Sequence, residues 1–558
     1  MNRADGENLQ TASNADAKSL SDPDDAEALH RKGLLALGEG RHDQAVQWIS
    51  SAIRRDPKPL YLTSLGTALL AQGRREEAVA AFDKAVQIEP DDADLWRNLA
   101  LALVETGGLS DAILCLQQAL KLDPRHFDAA HKAALLLHQQ GRYEEALGYF
   151  NLSAELRPDH FATLYMRARA LQMLNRFDEA LADNERAQVL DPKSADVRYN
   201  LATVLTELRR FDEAIAVYHQ ALAANPADAD AQWSLALLQL RLGDFESGWA
   251  AQEARWNVPS LSAGYPEFVQ PKWLGAEPVA GKTVIVCANE GFGDSIQLVR
   301  YVPMLAARGA RVILLVPEPL CSLLSGLEGV ARCLPSSVSP LPDCDFHVPV
   351  SNLPLAFGTR LQTIPDKVPY LPRPADAHVQ AWQARLGAHD RLRVGLVWSG
   401  NPSHGNDRNR SLPLRLLNPL LGLEAQFVSL QKHLRADDCA ILAQSGIVEL
   451  TADLADFADT AALMACLDLV ISVDTSAAHL AGALARETWI LLPYMPDYRW
   501  LLDRDDSPWY PAARLFRQSK ARDWREVIAR VRDELALKIA AWPASRTTAR
   551  SASPAPTT

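Results

Sequence analysis

The sequence predicts an all-α solenoid of helical hairpins followed by an α/β region of two parallel-sheet lobes. Three observations carry this. Prolines stand at Pro57, Pro90, Pro124, Pro158, Pro192 and Pro226, the first gap being 33 residues and the other four 34. From about 281 the period changes to short β-branched runs, starting with "KTVIVCAN". A second such start, "LRVGLVWSG", occupies 392–400 after a proline-rich stretch. A period as regular as the first means one hairpin copied along the chain.

Other columns keep that period. Ala45, Ala78, Ala112, Ala146, Ala180 and Ala214 form one; Ala52, Ala85, Ala119, Ser153, Ala187 and Ala221 form another. Large residues lie between them at Ile49, Phe82, Leu116, Phe150 and Tyr218, with Asn184 the exception, and Gly33, Gly66, Ala100, Ala134, Ala168 and Ala202 recur earlier. Each unit reads as two amphipathic helices. Small columns permit close approach, and the large column is expected to fill the space between units. The residue before each proline is driven out of the helical region, which ends the second helix.

This pattern resembles tetratricopeptide repeats over about 26–228. A degenerate seventh unit follows, with Gly248 where alanine is expected and added Trp249 and Trp256, so the solenoid is expected over 26–257. Such a surface ordinarily binds an extended peptide or another protein. The alternatives are self-association into a homo-oligomer and a plain spacer. An asparagine ladder of the kind some sugar-transferring relatives carry is mostly missing, with only Asn98 and Asn200 at the matching helix position.

Composition narrows the function classes. The chain has 558 residues, 48% of them hydrophobic, and a net charge of −12. That charge argues against a nucleic-acid surface. No apolar run approaches the ~18 residues of a membrane span. Residues 1–25 and 541–558 read as polar disordered tails, and the first lacks the apolar core of a signal peptide. The seven cysteines are scattered, odd in number and without a CxxC pair. A reduced, cytoplasmic protein without a zinc site is expected.

In the second half a linker is expected over 258–280, a first lobe over 281–375 and a second over 376–540. "KTVIVCAN", "EGFGD", the helix "SIQLVRYVPMLAARG" and "RVILLVP" make a βαβ unit, with further strands near "ARCLP" and "DFHVPV". The second lobe offers "LRVGLVWSG", "QFVSLQ", "LDLVISVD" and "ETWILLP", helices near Asp459–Leu467 and Thr475–Leu484, and a last helix from Asp523. The reading is two Rossmann-like lobes, in which ligands bind at the carboxyl ends of strands.

Four strand-end elements are candidates for chemistry, one in the first lobe and three in the second. Gly291-Phe292-Gly293-Asp294 follows the first strand, where glycines let backbone approach a ligand; Ile296 replaces a third glycine, which disfavours NAD. Its plain reading is a tight turn with Asp294 as a helix cap. Asp474-Thr475-Ser476 opens a helix after another strand, so free N–H groups and two hydroxyls suit a diphosphate, with His479 one turn on. Its plain reading is a capped helix with a buried histidine. "SGNPSHGNDRNRSLPL" brings Arg408 and Arg410, whose forks suit phosphate, or else a solvated loop. Gln431 and Lys432 follow a third strand end of this lobe. Gly281-Lys282-Thr283 precedes its strand and is not a phosphate loop, and the Asp343-Cys344-Asp345 and Asp503-Arg504-Asp505 spacings are set aside as metal sites.

Together "GFGD" and "DTSAAHLAGAL" resemble glycosyltransferase family 9, the heptosyltransferase-like enzymes of the GT-B fold, over roughly 280–540. The resemblance is nearest to bacterial proteins that join such a domain to tetratricopeptide repeats. It implies Asp294 as general base on an acceptor hydroxyl, and Asp474, Thr475, Ser476 and His479 as the seat of the donor diphosphate. Ser476 stands where the family usually has glycine, and Arg410 substitutes for its phosphate-binding lysine. The expectation is an inverting, metal-independent transferase using a nucleotide-diphosphate sugar and no other cofactor, with Gly291, Gly293, Gln431 and Lys432 also on the donor side. Tyr494, Tyr498, Trp500, Trp509 and Tyr510 read as packing first and as a sugar-site wall second. The acceptor is a protein recruited by the repeats, or a lipid-linked or surface glycan. The alternative is a non-catalytic scaffold with a degenerate GT-B domain.

Overall fold

The computed structural model describes residues 25–262, 265–288 and 290–551, with side chains to 542. The tail expected at the N-terminus lies outside these except for Asp25. The chain divides into two compact units at Ala221/Leu222.

The first unit is a stack of antiparallel hairpins, beginning Ala26–Gly38 with His42–Arg55 and Pro59–Ala71 with Arg75–Ile88. Second helices stop at Arg55, Leu122 and Leu190, where Asp56, Asp123 and Asp191 leave the helical region before their prolines, the first two with extended backbone. The turn inside each hairpin needs a left-handed residue. Gly40, Gly73, Gly107 and Gly141 supply it, while Asn175 and Arg209 adopt it at φ 58° and 59°. The alanine columns are buried. The large column also packs inside its own hairpin at its first two members, Ile49 and Phe82. A β-carbon on Gly33 would lie 2.4 Å from Ile49, and one on Gly66 2.6 Å from the Phe82 ring. The small residue is there to admit the large one across the hairpin. First helices also touch those of neighbouring hairpins, so they line one face.

The second unit opens with a further hairpin, Ala229–Arg241 and Phe245–Ala251, then a 3-10 turn Gln252–Asn257. Two parallel sheets follow. The first contains β1 (Thr283–Cys287), β2 (Arg311–Val316), β3 (Val330–Pro335) and β4 (Phe346–Pro349) in the order β3-β2-β1-β4. The second contains β5 (Leu392–Val397), β6 (Ala425–Ser429), β7 (Leu469–Val473), β8 (Thr488–Leu492) and β9 (Ala513–Arg517) in the order β6-β5-β7-β8-β9. β5, β7 and β8 are buried at every position, as parallel strands covered on both faces must be. The fold is thus an all-α repeat region followed by an α/β region of two Rossmann-like lobes.

Several details differ from the sequence reading. β9 was not expected, because arginines at 514 and 517 interrupt its apolar run. The first-lobe helix is broken into Phe292–Leu298, a 3-10 turn Val299–Tyr301 and Val302–Ala307. Pro303 cannot donate to the carbonyl one turn back and crowds it. The stretch 258–280 is no free linker: Trp273 is fully buried and its N–H donates to the His347 carbonyl at 2.8 Å beside β4. The proline-rich stretch is pinned too, as Tyr370 donates its hydroxyl to Ile296 O (2.9 Å) and its N–H to Ala483 O (3.3 Å). The last helix, Trp524–Ser551, runs beyond 540, since extending a formed helix is far cheaper than starting one. One apolar core runs from Leu240, Phe245 and Trp249 of the hairpin through both lobes. No helix among the described residues is long and apolar enough to cross a membrane.

Candidate functional site

β7 delivers Asp474, and Thr475 breaks into the helix Ser476–Ala483 with extended backbone (φ −143°, ψ 172°) and no side-chain cap. The Thr475 hydroxyl instead meets the Ser472 hydroxyl at 3.1 Å, so one of the two hydroxyls expected in the crevice turns back to the strand. Thr475, Ser476 and Ala477 are half-buried. The first-turn N–H groups thus keep a partly open approach.

Arg410 lies beside this helix end. It donates from Nη1 to the Asp474 carbonyl at 3.0 Å, and its guanidinium rests on Gly400, where a β-carbon would come to 2.7 Å from Nη2. Ser411 supports the turn, accepting from Gly400 N–H (2.9 Å) and donating to Asp407 (2.6 Å).

The first-lobe motif packs onto the same helix. Gly293 abuts the His479 ring, and a β-carbon there would sit 2.7 Å from imidazole Cδ2. Its missing side chain admits a neighbouring side chain, whereas the sequence reading reserved that space for a ligand. Gly291 is exposed and caps the Phe292–Leu298 helix; Asp294 is in the first turn and is no cap. Its carboxylate pairs with Arg499, which also donates to Gln297 Oε1 (2.6 Å) and Asp497 Oδ1 (2.7 Å). Asp294 keeps 28% of its side chain exposed and Arg499 13%. Burial lowers the Arg499 pKa to about 10, while burial and neighbouring Asp474 push Asp497 up to about 7. Burial also raises Asp474 and Glu290, against the pull of Arg410 and Arg255 respectively.

Three residues expected on the donor side have partners within the protein. His479 is 4% exposed, bonds Tyr510 Oη through Nδ1 at 2.9 Å and stacks on Trp500. Burial drives its pKa down to about 3, so it is a neutral core histidine that does not reach the crevice. Gln431 is buried and engaged at both ends: Oε1 accepts from Trp398 N–H (3.1 Å) and Ser399 N–H (3.0 Å), and Nε2 donates to the Ser399 and His433 carbonyls. Lys432 donates to the carbonyls of Thr451 (3.0 Å) and Leu454. Trp500, Trp509 and Tyr510 are fully buried and Tyr498 nearly so; only Tyr494 is half-buried. The four buried rings are core, as their packing reading has it.

Arg499, Asp497 and Gln297 were not singled out from the sequence. The one available signal was a charged pair, Asp497 and Arg499, inside the aromatic stretch "LLPYMPDYRW". Arg300 was missed as well. It donates to the carbonyls of Gln297 (2.9 Å), Pro365 (3.1 Å) and Trp509 (2.9 Å), tying the lobes together from the core.

Comparison with known proteins agrees with the coarse architecture. The profile of the family described as the cilia and flagella-associated protein 70 C-terminal domain matches residues 2–237. Protein FlbA of Caulobacter vibrioides is 27% identical over 322 residues, covering 52% of this chain and 52% of FlbA. The chain thus spans about half the length of that relative. Superkiller complex protein 3 of Mus musculus is 42% identical over 62 residues, 11% of this chain and 4% of that protein. Among solved structures, YrrB, titled a TPR protein with an unusual peptide-binding site, is 19% identical, with TM-score 0.32 and coverage of 33% of this chain and 96% of that one. A tetratricopeptide repeat protein from Parabacteroides merdae is 20% identical, with TM-score 0.33 and coverage of 43% and 94%. The chain is a tetratricopeptide-repeat protein with a C-terminal α/β region of two parallel sheets.

Proposed function

We propose that the α/β unit is a glycosyltransferase domain that seats the diphosphate of a nucleotide sugar at the amino end of the Ser476–Ala483 helix, and that the repeats recruit a protein or peptide acceptor or partner. One observation carries the reading: an uncapped, partly open helix end with the Arg410 guanidinium beside it, and Asp294 on the lobe that packs against that helix. Helix N–H groups and a fixed arginine stabilise the charge that builds on a leaving diphosphate. The acceptor oxygen bonds to the anomeric carbon, the bond to the diphosphate breaks with its electron pair, and the acceptor proton passes to Asp294. Attack opposite the leaving group inverts the carbon. A carboxylate paired with arginine is a weak base, so substrate must draw Arg499 away from Asp294.

The test is calorimetry with uridine and guanosine diphosphates and a donor-hydrolysis assay. Binding should weaken about tenfold or more in Arg410→Ala, the scale of one lost charge-assisted contact. Asp294→Ala should keep binding and lose turnover. No nucleotide affinity at millimolar concentration would remove the reading.

A second reading, a non-catalytic repeat scaffold, is favoured by a specific observation: His479, Gln431 and Lys432 all have partners within the protein, and Asp294 is neutralised by Arg499. Absence of donor hydrolysis in the wild-type chain would point there, whereas full retention of hydrolysis in Asp294→Ala would remove Asp294 from the mechanism.

A further inference from the structure

The segment 494–503 bears Asp497 and Arg499 yet is poorly suited to hold itself in place. It contains only a three-residue 3-10 turn, Tyr498–Trp500, followed by left-handed Leu501 and Asp503, both at φ 52°. Such backbone costs about 1–2 kcal/mol per non-glycine residue, so outside contacts must maintain it. On the carboxyl side Arg517 of β9 provides them, donating to the carbonyls of Trp500 (2.6 Å) and Leu501 (3.0 Å).

The amino side is held by the Ala229–Ala251 hairpin, whose repeat period assigns it to the solenoid. Arg241 Nε donates to the Pro496 carbonyl at 2.8 Å. Trp249 meets the Tyr498 ring edge-on at 5.6 Å, and Phe245 stacks near Trp509. Gly248 explains the missing repeat alanine: a β-carbon there would lie 2.6 Å from Leu240 Cγ. The Arg499 guanidinium sits over the Tyr498 ring at 4.5 Å, between these two anchors.

We infer that this hairpin is a positioning element of the crevice, in which Arg241 holds Pro496 so that Arg499 reaches Asp294 and Gln297. The structural part stands alone; its effect on turnover rests on the transferase reading.

The test uses the full chain with Arg241→Ala and Arg241→Lys. Amide exchange over 494–501 should rise about tenfold or more in Arg241→Ala, with β7 and β8 unchanged, because only local opening is eased. Donor-hydrolysis kcat should rise about tenfold with KM within about twofold, because a loosened Arg499 leaves Asp294 freer to take a proton. Lysine, which can still donate to the Pro496 carbonyl, should restore most of both. Unchanged exchange overturns the inference, and so does an equal rise throughout the sheets. Raised exchange in a chain whose wild type neither binds nor hydrolyses a nucleotide sugar supports the positioning role and removes only the transferase reading.

Discussion

Gly293 of the first lobe meets His479 of the second so closely that no side chain fits between them: a β-carbon would stand 2.7 Å from the ring. The ring cannot retreat, because Tyr510 and Trp500 back it and both are fully buried. Gly293→Ala should therefore strain the contact between the lobes and destabilise the α/β unit by about 1–3 kcal/mol, as overpacking does. Denaturant unfolding followed by tryptophan fluorescence would measure it.

Gln431 and Lys432 are adjacent but should behave differently. Gln431→Ala leaves two N–H groups and two carbonyls without their partner, a loss of about 2–4 kcal/mol. Lys432 is exposed and its loss should cost no more than about 1 kcal/mol. Neither should alter nucleotide affinity beyond what stability explains, which calorimetry on the folded fraction would check.

Arg300 is a buried cation that joins three carbonyls and is overlaid by Tyr370, Trp509 and Tyr510 rings. Arg300→Met should cost about 3–5 kcal/mol, since it orphans acceptors in the core. Arg300→Lys should rescue little, because a point charge cannot span the fork. Chemical denaturation of both variants checks this.

His479 sets an acid sensitivity. Its folded pKa is lowered to about 3 by burial, with Arg300 and Arg410 adding to the effect. The unfolded chain takes up a proton below about pH 6.5 that the folded chain refuses. Stability is therefore lost as pH falls from about 6.5 towards 3. Replacing it with glutamine should flatten the decline in melting temperature between pH 7 and 5, whatever its cost at pH 7.

The repeat region was legible almost residue by residue, since Pro57 and its successors recur and the helix ends follow them. Eight of the nine strands were legible as well, because buried parallel strands are continuous apolar runs; β9 escaped through its arginines. The candidate site was legible only in part. Asp294, Arg410 and the opening of the Ser476 helix were found at strand ends, where loops carry polar groups. Their partners were not, and Gln431, Lys432 and His479, all on the expected donor side, each bond groups of their own protein.

Periodic order was determined by the sequence alone: hairpin boundaries, turn residues, the change from helix to sheet, and which residues stand at strand ends. These depend on neighbours within a few turns of chain, so composition and spacing record them. Tertiary structure alone decided that Asp294 is held by a residue 205 positions away, that His479 is sealed in the core, and that the seventh hairpin shares a core with the lobes. Ion pairs and packing across such separations leave no period in the chain, because they depend on where folded elements bring side chains together in space.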